Sequence, residues 1–255
     1  MDVPAYLDRI GYTGPTTPDH ETLRRIHLAH LHTVPFENLD IGLKREIVCD
    51  EAAFVRKVVE LRRGGFCYEL NGAFAALLRA LGFEVTLLSA RVSRKGGGFG
   101  PEFDHLTLRV DLEEPWLADV GFGESFVEPL RLQPGLIQEQ IGRKFRIVEA
   151  DEFLQMEAFV EPKWRREYSF TLQPRQLHDF AGMCHYHQTS PESHFTQNRI
   201  CTRATPDGRV TLSEMKLIVT RNGEREERML ASEDERTQVL REQFGVVFQE
   251  PRTET

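Results

Sequence analysis

At Gly82 the chain changes its period. Ahead of that glycine, apolar residues recur at helical spacing; beyond it they alternate as strand residues do. In "TPDHETLRRIHLAHLHTV", Thr17 is the expected N-cap and Pro18 the first helical residue, with acids in the first turn. Leu23, Ile26 and His30 follow at helical spacing. "DEAAFVRKVVELRRGG" predicts a second helix, capped by Asp50, with Phe54, Val58 and Leu61 on one face. Arg62 and Arg63 suit the negative end of its dipole, and Gly64–Gly65 is expected to stop it. A third helix is predicted from Cys67 to Leu81, with an apolar face of Leu70, Phe74, Leu77, Leu78 and Leu81. Gly82 is its C′ residue.

"FEVTLLSARV", "HLTLRVDL" and "PWLADVGF" then read as strands, with weaker ones around 145–148 and 168–172. Leu106, Leu108, Val110 and Leu112 alternate cleanly and are expected to face a core. The pattern predicts an antiparallel barrel or sandwich, so the fold class is α+β. Asp207–Gly208 and Asn222–Gly223 are hairpin turns between strand-like flanks. Ser232 and Glu235 have capping-box spacing ahead of a last helix, and the tail "QEPRTET" is expected to fray.

With 255 residues the chain can form one large domain or two to three small ones. Its formal charge of −8 argues against a broad nucleic-acid surface. No apolar run approaches the roughly 20 residues that span a membrane, and no signal peptide is visible. The four cysteines (Cys49, Cys67, Cys184 and Cys201) form no CxxC pair. That pattern predicts free thiols in a reducing cytoplasm and no zinc site. The late histidines His178, His185, His187 and His194 cluster, but without metal-ligand spacing.

Free cysteine is among the most buried residue types, so packing is the default role for Cys67. Three features of "RGGFCYELN" weigh against that default. Cys67 opens a helix, where unpaired N–H groups favour a thiolate. The glycines before it let the chain turn and a ligand approach. It also stands ahead of its helix's apolar stripe, near a cleft. His105, at the start of a strand and opposite in parity to the buried leucines, is the candidate base. Asp119 sits between Ala118 and Val120, where a carboxylate needs a partner. One hairpin separates it from His105, so the two can meet across neighbouring strands if the register keeps them on one face. Such a Cys-His-Asp set offers nucleophilic acyl transfer.

Taken in order, "VPFENLDI", "RRGGFCYELN", "DHLTLRV", "LADVGFG" and "HQTSPESHFTQNRICTR" resemble the motifs of the arylamine N-acetyltransferases. The resemblance covers nearly the whole chain. It implies a helical bundle over 1–82 carrying the nucleophile, a β-barrel over 83–185 carrying the His and Asp, and an α/β lid over 186–255. It implies a papain-like triad of Cys67, His105 and Asp119, acetylated by acetyl-coenzyme A and discharged by an arylamine or arylhydrazine. Both substrates are small molecules, and no metal, nucleic acid or membrane partner is implied. Phe36, Phe122 and Phe103 match the acceptor pocket, and Gly96, Gly97 and Gly98, beside Arg94 and Lys95, the loop that takes the coenzyme phosphates. Arg63, Glu37 and Asn38 read as structural, and Asn71 as orienting the cysteine turn or serving the oxyanion. Asp104 beside the histidine and Cys184 depart from the family pattern, as does a short C-terminal region. An amide synthase using a carrier-bound acyl donor, a cysteine hydrolase and a non-catalytic binding protein are the alternatives on this scaffold. Oligomeric state is not set by these motifs.

Overall fold

Gly82 adopts φ +91°, the left-handed turn that ends the helical part of the chain. The computed structural model describes residues 1–248; the tail expected to fray lies outside the described residues. Ahead of Gly82 come α1 (Val3–Arg9), α2 (His20–Thr33), β1 (Phe36–Glu37), α3 (Leu39–Gly42), α4 (Glu51–Val59) and α5 (Cys67–Ala80). After it run β2 (Glu84–Val92), β3 (His105–Asp111), β4 (Pro115–Ala118), β5 (Leu130–Arg131) and β6 (Gln138–Gln140). They are followed by β7 (Arg143–Ala150), β8 (Phe153–Val160) and β9 (Lys163–Phe170). A 3-10 turn (Leu177–Phe180), α6 (Ala181–Thr189) and α7 (His194–Gln197) lead into β10 (Ile200–Thr205), β11 (Gly208–Ser213), β12 (Lys216–Arg221), β13 (Glu224–Met229) and α8 (Glu233–Phe244).

Two helix ends differ from the sequence expectation. Asp19, not Thr17, caps α2: its carboxylate accepts from the Thr22 N–H at 2.8 Å, which leaves Pro18 outside the helix. Asp50 caps α4 as expected, but the helix ends at Val59, and Leu61 is exposed. Arg62 takes φ +49° and turns the chain before the glycines are reached. Gly64 and Gly65 instead allow close approach. A Cβ on Gly64 would lie 1.9 Å from the Pro35 carbonyl oxygen, and one on Gly65 2.6 Å from Glu69 Cβ.

The eight strands β5-β4-β3-β2-β9-β8-β7-β6 form an antiparallel sheet that curls into a nearly closed barrel. Side-chain amides rather than a ladder bridge its two edges. Gln138 accepts from the Arg131 N–H at 2.8 Å and donates to the Arg131 carbonyl at 3.1 Å. Gln140 accepts from the Val127 and Glu128 N–H groups at 3.0 and 2.9 Å and donates to the Glu128 carbonyl at 2.8 Å. The edge groups are thereby satisfied without a further strand. Strand β3 is buried on both faces: Leu106, Leu108 and Val110 are buried on one, His105 and Thr107 on the other. Leu112, past the strand's end, is only half-buried.

Strands β10–β13 form the two predicted hairpins and add β1 at one edge, with Phe36 opposite Thr202. All their pairings are antiparallel, so with α8 packed on it this region is α+β rather than the α/β unit the resemblance implied. Ser232 caps α8 by accepting from the Glu235 N–H, while the Glu235 carboxylate takes the Ala231 N–H instead of closing the box on Ser232. Among the described residues, no helix is long and apolar enough to cross a membrane.

Candidate active site

Cys67 is the first residue of α5 and only 3 % exposed. The turn ahead of it is held by Glu69, whose carboxylate accepts from the Phe66 N–H at 3.1 Å and from Lys57 Nζ at 2.7 Å. Lys57 also meets Asp40 at 2.7 Å, and Arg63 spans Glu37 at 2.7 Å and Asp40 at 3.1 Å. Three carboxylates and two cations therefore lie buried beneath the cysteine turn. Burial pushes the Glu69 carboxyl up to about 7; the Lys57 charge opposes this and Glu37 adds to it. Breaking such a network leaves an uncompensated buried charge.

The register of β3 with β4, Leu108 opposite Ala118, puts His105 and Asp119 on one face. His105 Nε2 meets Asp119 Oδ2 at 2.7 Å, and both side chains are buried. The other ring nitrogen, Nδ1, is left for Cys67. Burial disfavours the imidazolium, but the charge and hydrogen bond of Asp119, reinforced by the Cys67 side chain, raise His105 to about 10. Burial likewise opposes ionisation of Asp119, yet His105, Asn71 and the Gly121 N–H hold its carboxyl below the usual range.

Asn71, one turn along α5 from Cys67, donates to Asp119 Oδ1 at 2.9 Å and to the Leu106 carbonyl at 2.6 Å. Its own oxygen accepts from the Val120 N–H at 2.9 Å. With both ends of the amide engaged, Asn71 orients Asp119 and is not available to an oxyanion. A Cβ on Gly121 would lie 2.8 Å from Cys67 Cα, so only glycine lets this loop seat against the start of α5. His27, on α2, donates from Nδ1 to the Val127 carbonyl at 2.9 Å and accepts at Nε2 from the Asp119 N–H at 3.1 Å. Burial drops His27 to about 4, so it stays neutral and keeps that tautomer.

A family model described as N-acetyltransferase matches residues 19–253. The Escherichia coli arylamine N-acetyltransferase is 36% identical over 245 residues, covering 94% of this chain and 87% of that protein. The chain belongs to the arylamine N-acetyltransferase family. The solved Salmonella typhimurium arylamine N-acetyltransferase superposes with a TM-score of 0.92 at 34% identity, covering 99% of this chain and 94% of that one. A proansamycin X synthase from Amycolatopsis mediterranei is also a relative, 34% identical over 92% of this chain and 94% of its own length.

The other residues that carried the likeness to the arylamine N-acetyltransferases divide into two groups. Phe122 lies edge-on to His105 at 5.1 Å between ring centres, and Tyr168, which sequence reasoning missed, lies 5.3 Å from the same imidazole. Phe36 faces Phe195 at 6.2 Å and lies 3.8 Å from the position of a Cβ on Gly123. Phe103 is placed differently: its ring packs against Phe180 at 5.2 Å, and its carbonyl accepts from the Tyr68 hydroxyl at 2.7 Å. Gly96, Gly97 and Gly98 form the exposed tip of the β2–β3 hairpin, with Gly97 and Gly98 at positive φ. Asp104 does not compete for His105. It accepts from the Val92 N–H at 3.3 Å and lies 3.2 Å from His187 Nε2. Asn38 accepts from the Ile200 N–H and donates to the Phe195 and Asn198 carbonyls, tying β1 to the segment before β10. Cys184 is buried with its thiol on the Ile47 carbonyl at 3.6 Å. Among the described residues no group of histidines, cysteines and carboxylates has the arrangement of a metal site.

Proposed function

We propose that this arylamine N-acetyltransferase carries the acetyl group from acetyl-coenzyme A to an arylamine or arylhydrazine as a thioester on Cys67. The observation that carries the reading is the 2.7 Å contact of His105 Nε2 with Asp119, which leaves the opposite ring nitrogen to the thiol at the start of α5. His105 takes the Cys67 proton, and the sulfur attacks the acetyl carbonyl. The tetrahedral adduct collapses, breaking the bond to the coenzyme sulfur, which leaves with the proton from His105. The amine then attacks the thioester, gives its proton to His105, and Cys67 departs and is reprotonated. Asp119 stabilises the imidazolium at each stage, and Phe36 and Phe122 offer apolar walls to an aryl ring. Cys67 and His105, at 3 % and 2 % exposure, are shielded from bulk water, which favours an amine acceptor over hydrolysis. We place the reaction in a reducing cytoplasm, where the cysteines stay free.

The test is the intact mass after brief mixing with acetyl-coenzyme A and no acceptor. The wild type is expected to gain one acetyl group and lose it on adding an arylamine; Cys67→Ala is expected to gain none. Acetylation of Cys67→Ala, or continued release of coenzyme A beyond one equivalent per protein without amine, would sink the reading. The proansamycin X synthase relative supports a second one, amide synthesis from a carrier-bound acyl thioester on the same cysteine. Inertness to acetyl-coenzyme A with reaction toward a carrier-bound thioester would favour it.

A further inference from the structure

His187, in the last turn of α6, is 7 % exposed, and the acyl transfer derived above makes no use of it. Its hydrogen bonds reveal its charge. Ser193, the cap of α7, donates its one hydroxyl proton to the His187 carbonyl at 3.1 Å and accepts from the Phe195 N–H at 3.2 Å. The same hydroxyl lies 3.3 Å from His187 Nδ1 and, with its proton already given, can only accept there, so Nδ1 carries a hydrogen. Nε2 is closed off from water, and Asp104 Oδ1 lies 3.2 Å from it, off the line of a hydrogen bond. A lone pair on Nε2 would face a carboxylate oxygen at that distance, so the contact requires a proton. The imidazole is the more basic group, and a second N–H makes it a cation beside the carboxylate. Asp104 is itself held in place. Its other oxygen accepts from the Val92 N–H at 3.3 Å, and Gly100 packs so closely on that oxygen that a Cβ would overlap it.

The pair joins the segments that carry the two reacting side chains. Asp104 immediately precedes His105, and the ring of His187 lies 6.2 Å from that of Tyr68, which follows Cys67. The Tyr68 hydroxyl donates to the Phe103 carbonyl at 2.7 Å, on the same loop as Asp104. On its other side His187 meets Phe195 edge-on at 5.2 Å, and Phe195 meets Phe66, the residue before Cys67, at 5.8 Å. Removing either charge would leave the other buried and unpaired, which the segments around it relieve by moving. We propose that His187 is a positioning residue: as a buried cation paired with Asp104, it sets the spacing of Cys67 and His105. The positioning role rests on the proposed thioester mechanism; the charge of the pair does not.

The test has two parts, both on the full-length protein. The ¹⁵N signals of the His187 imidazole, assigned by their loss in His187→Gln, are expected to show two N–H groups in the wild type at neutral pH and one in Asp104→Asn. A single N–H in the wild type overturns the cation. The second part is single-turnover acetylation of Cys67 by acetyl-coenzyme A. In Asp104→Asn and in His187→Gln the maximal rate is expected to fall about tenfold with the half-saturating donor concentration unchanged. The double variant is expected to be no slower than the slower single one, because both substitutions break one pair. Unchanged maximal rates, a loss confined to the half-saturating concentration, or losses that multiply in the double variant overturn the positioning role. Asp104→Asn keeps an acceptor for the Val92 N–H and decides the question if His187→Gln does not fold. If acetyl-coenzyme A leaves the wild type unmodified, the thioester mechanism fails. Alkylation of Cys67 by iodoacetamide then takes the place of acetylation: it should slow by a similar factor in both variants, and an unchanged rate overturns the positioning role.

Discussion

Asp119 shows how much of one residue's role comes from its partners. It accepts from Asn71, from the Gly121 N–H and from His105, and its own N–H is held by His27. Replacing it with Asn keeps the shape but removes the charge that stabilises the imidazolium. Single-turnover acetylation of Asp119→Asn is therefore expected to slow by about a thousandfold or more. A loss under tenfold would remove Asp119 from the mechanism. The same pair sets a pH dependence. His105 is raised from 6.5 to about 10, so its stabilising contribution is complete below 6.5 and is lost as pH rises to about 10. The gap in denaturation midpoint between wild type and Asp119→Asn should shrink over that range; a constant gap would contradict the pairing. Cys67, His105 and Asp119 were legible because a helix start and one hairpin bring them together. His27 was not: it lies 92 residues from Asp119, and in sequence it is one more histidine on a helix.

At the level of elements, hydrophobic period revealed which segments are helix and which are strand, because burial of one face imposes it. It did not locate their ends. Asp19 competed with Thr17 for the same cap, and the positive φ of Arg62 ended a helix whose apolar spacing continued to Leu61. The glycines of "RGGFC" looked like a stop signal, but Gly64 is required by its approach to the Pro35 carbonyl and Gly65 by the Glu69 side chain that closes the cysteine turn, as Gly121 is by the start of α5. In Gly121→Ala, the new methyl would meet the Cys67 backbone and the Asn71 amide at 2.8 and 2.7 Å, groups fixed by their own hydrogen bonds. The substitution should cost about 1–3 kcal/mol in denaturant unfolding and also slow acetylation, because α5 and the loop after β4 must part. Wild-type values of both would mean that the approach is looser than these distances.

For the whole molecule, the barrel seam and the active site are one hydrogen-bonded structure. Gln140 on β6 holds the Val127 and Glu128 N–H groups, and His27 donates to the Val127 carbonyl while accepting from the Asp119 N–H. Arg24, also on α2, meets Glu128 at 2.7 Å. None of this was visible in the sequence, since a glutamine closing a barrel edge leaves no periodic trace. The chain of contacts predicts coupling between distant substitutions. Gln140→Ala leaves two N–H groups and a carbonyl without partners and should cost about 1–3 kcal/mol. His27→Gln should cost a similar amount. If the 127–128 segment transmits between them, the double variant should depart from additivity by about 0.5 kcal/mol or more, and Gln140→Ala alone should slow acetylation at Cys67. Additive stabilities and an unchanged acetylation rate would show that the seam only closes the barrel.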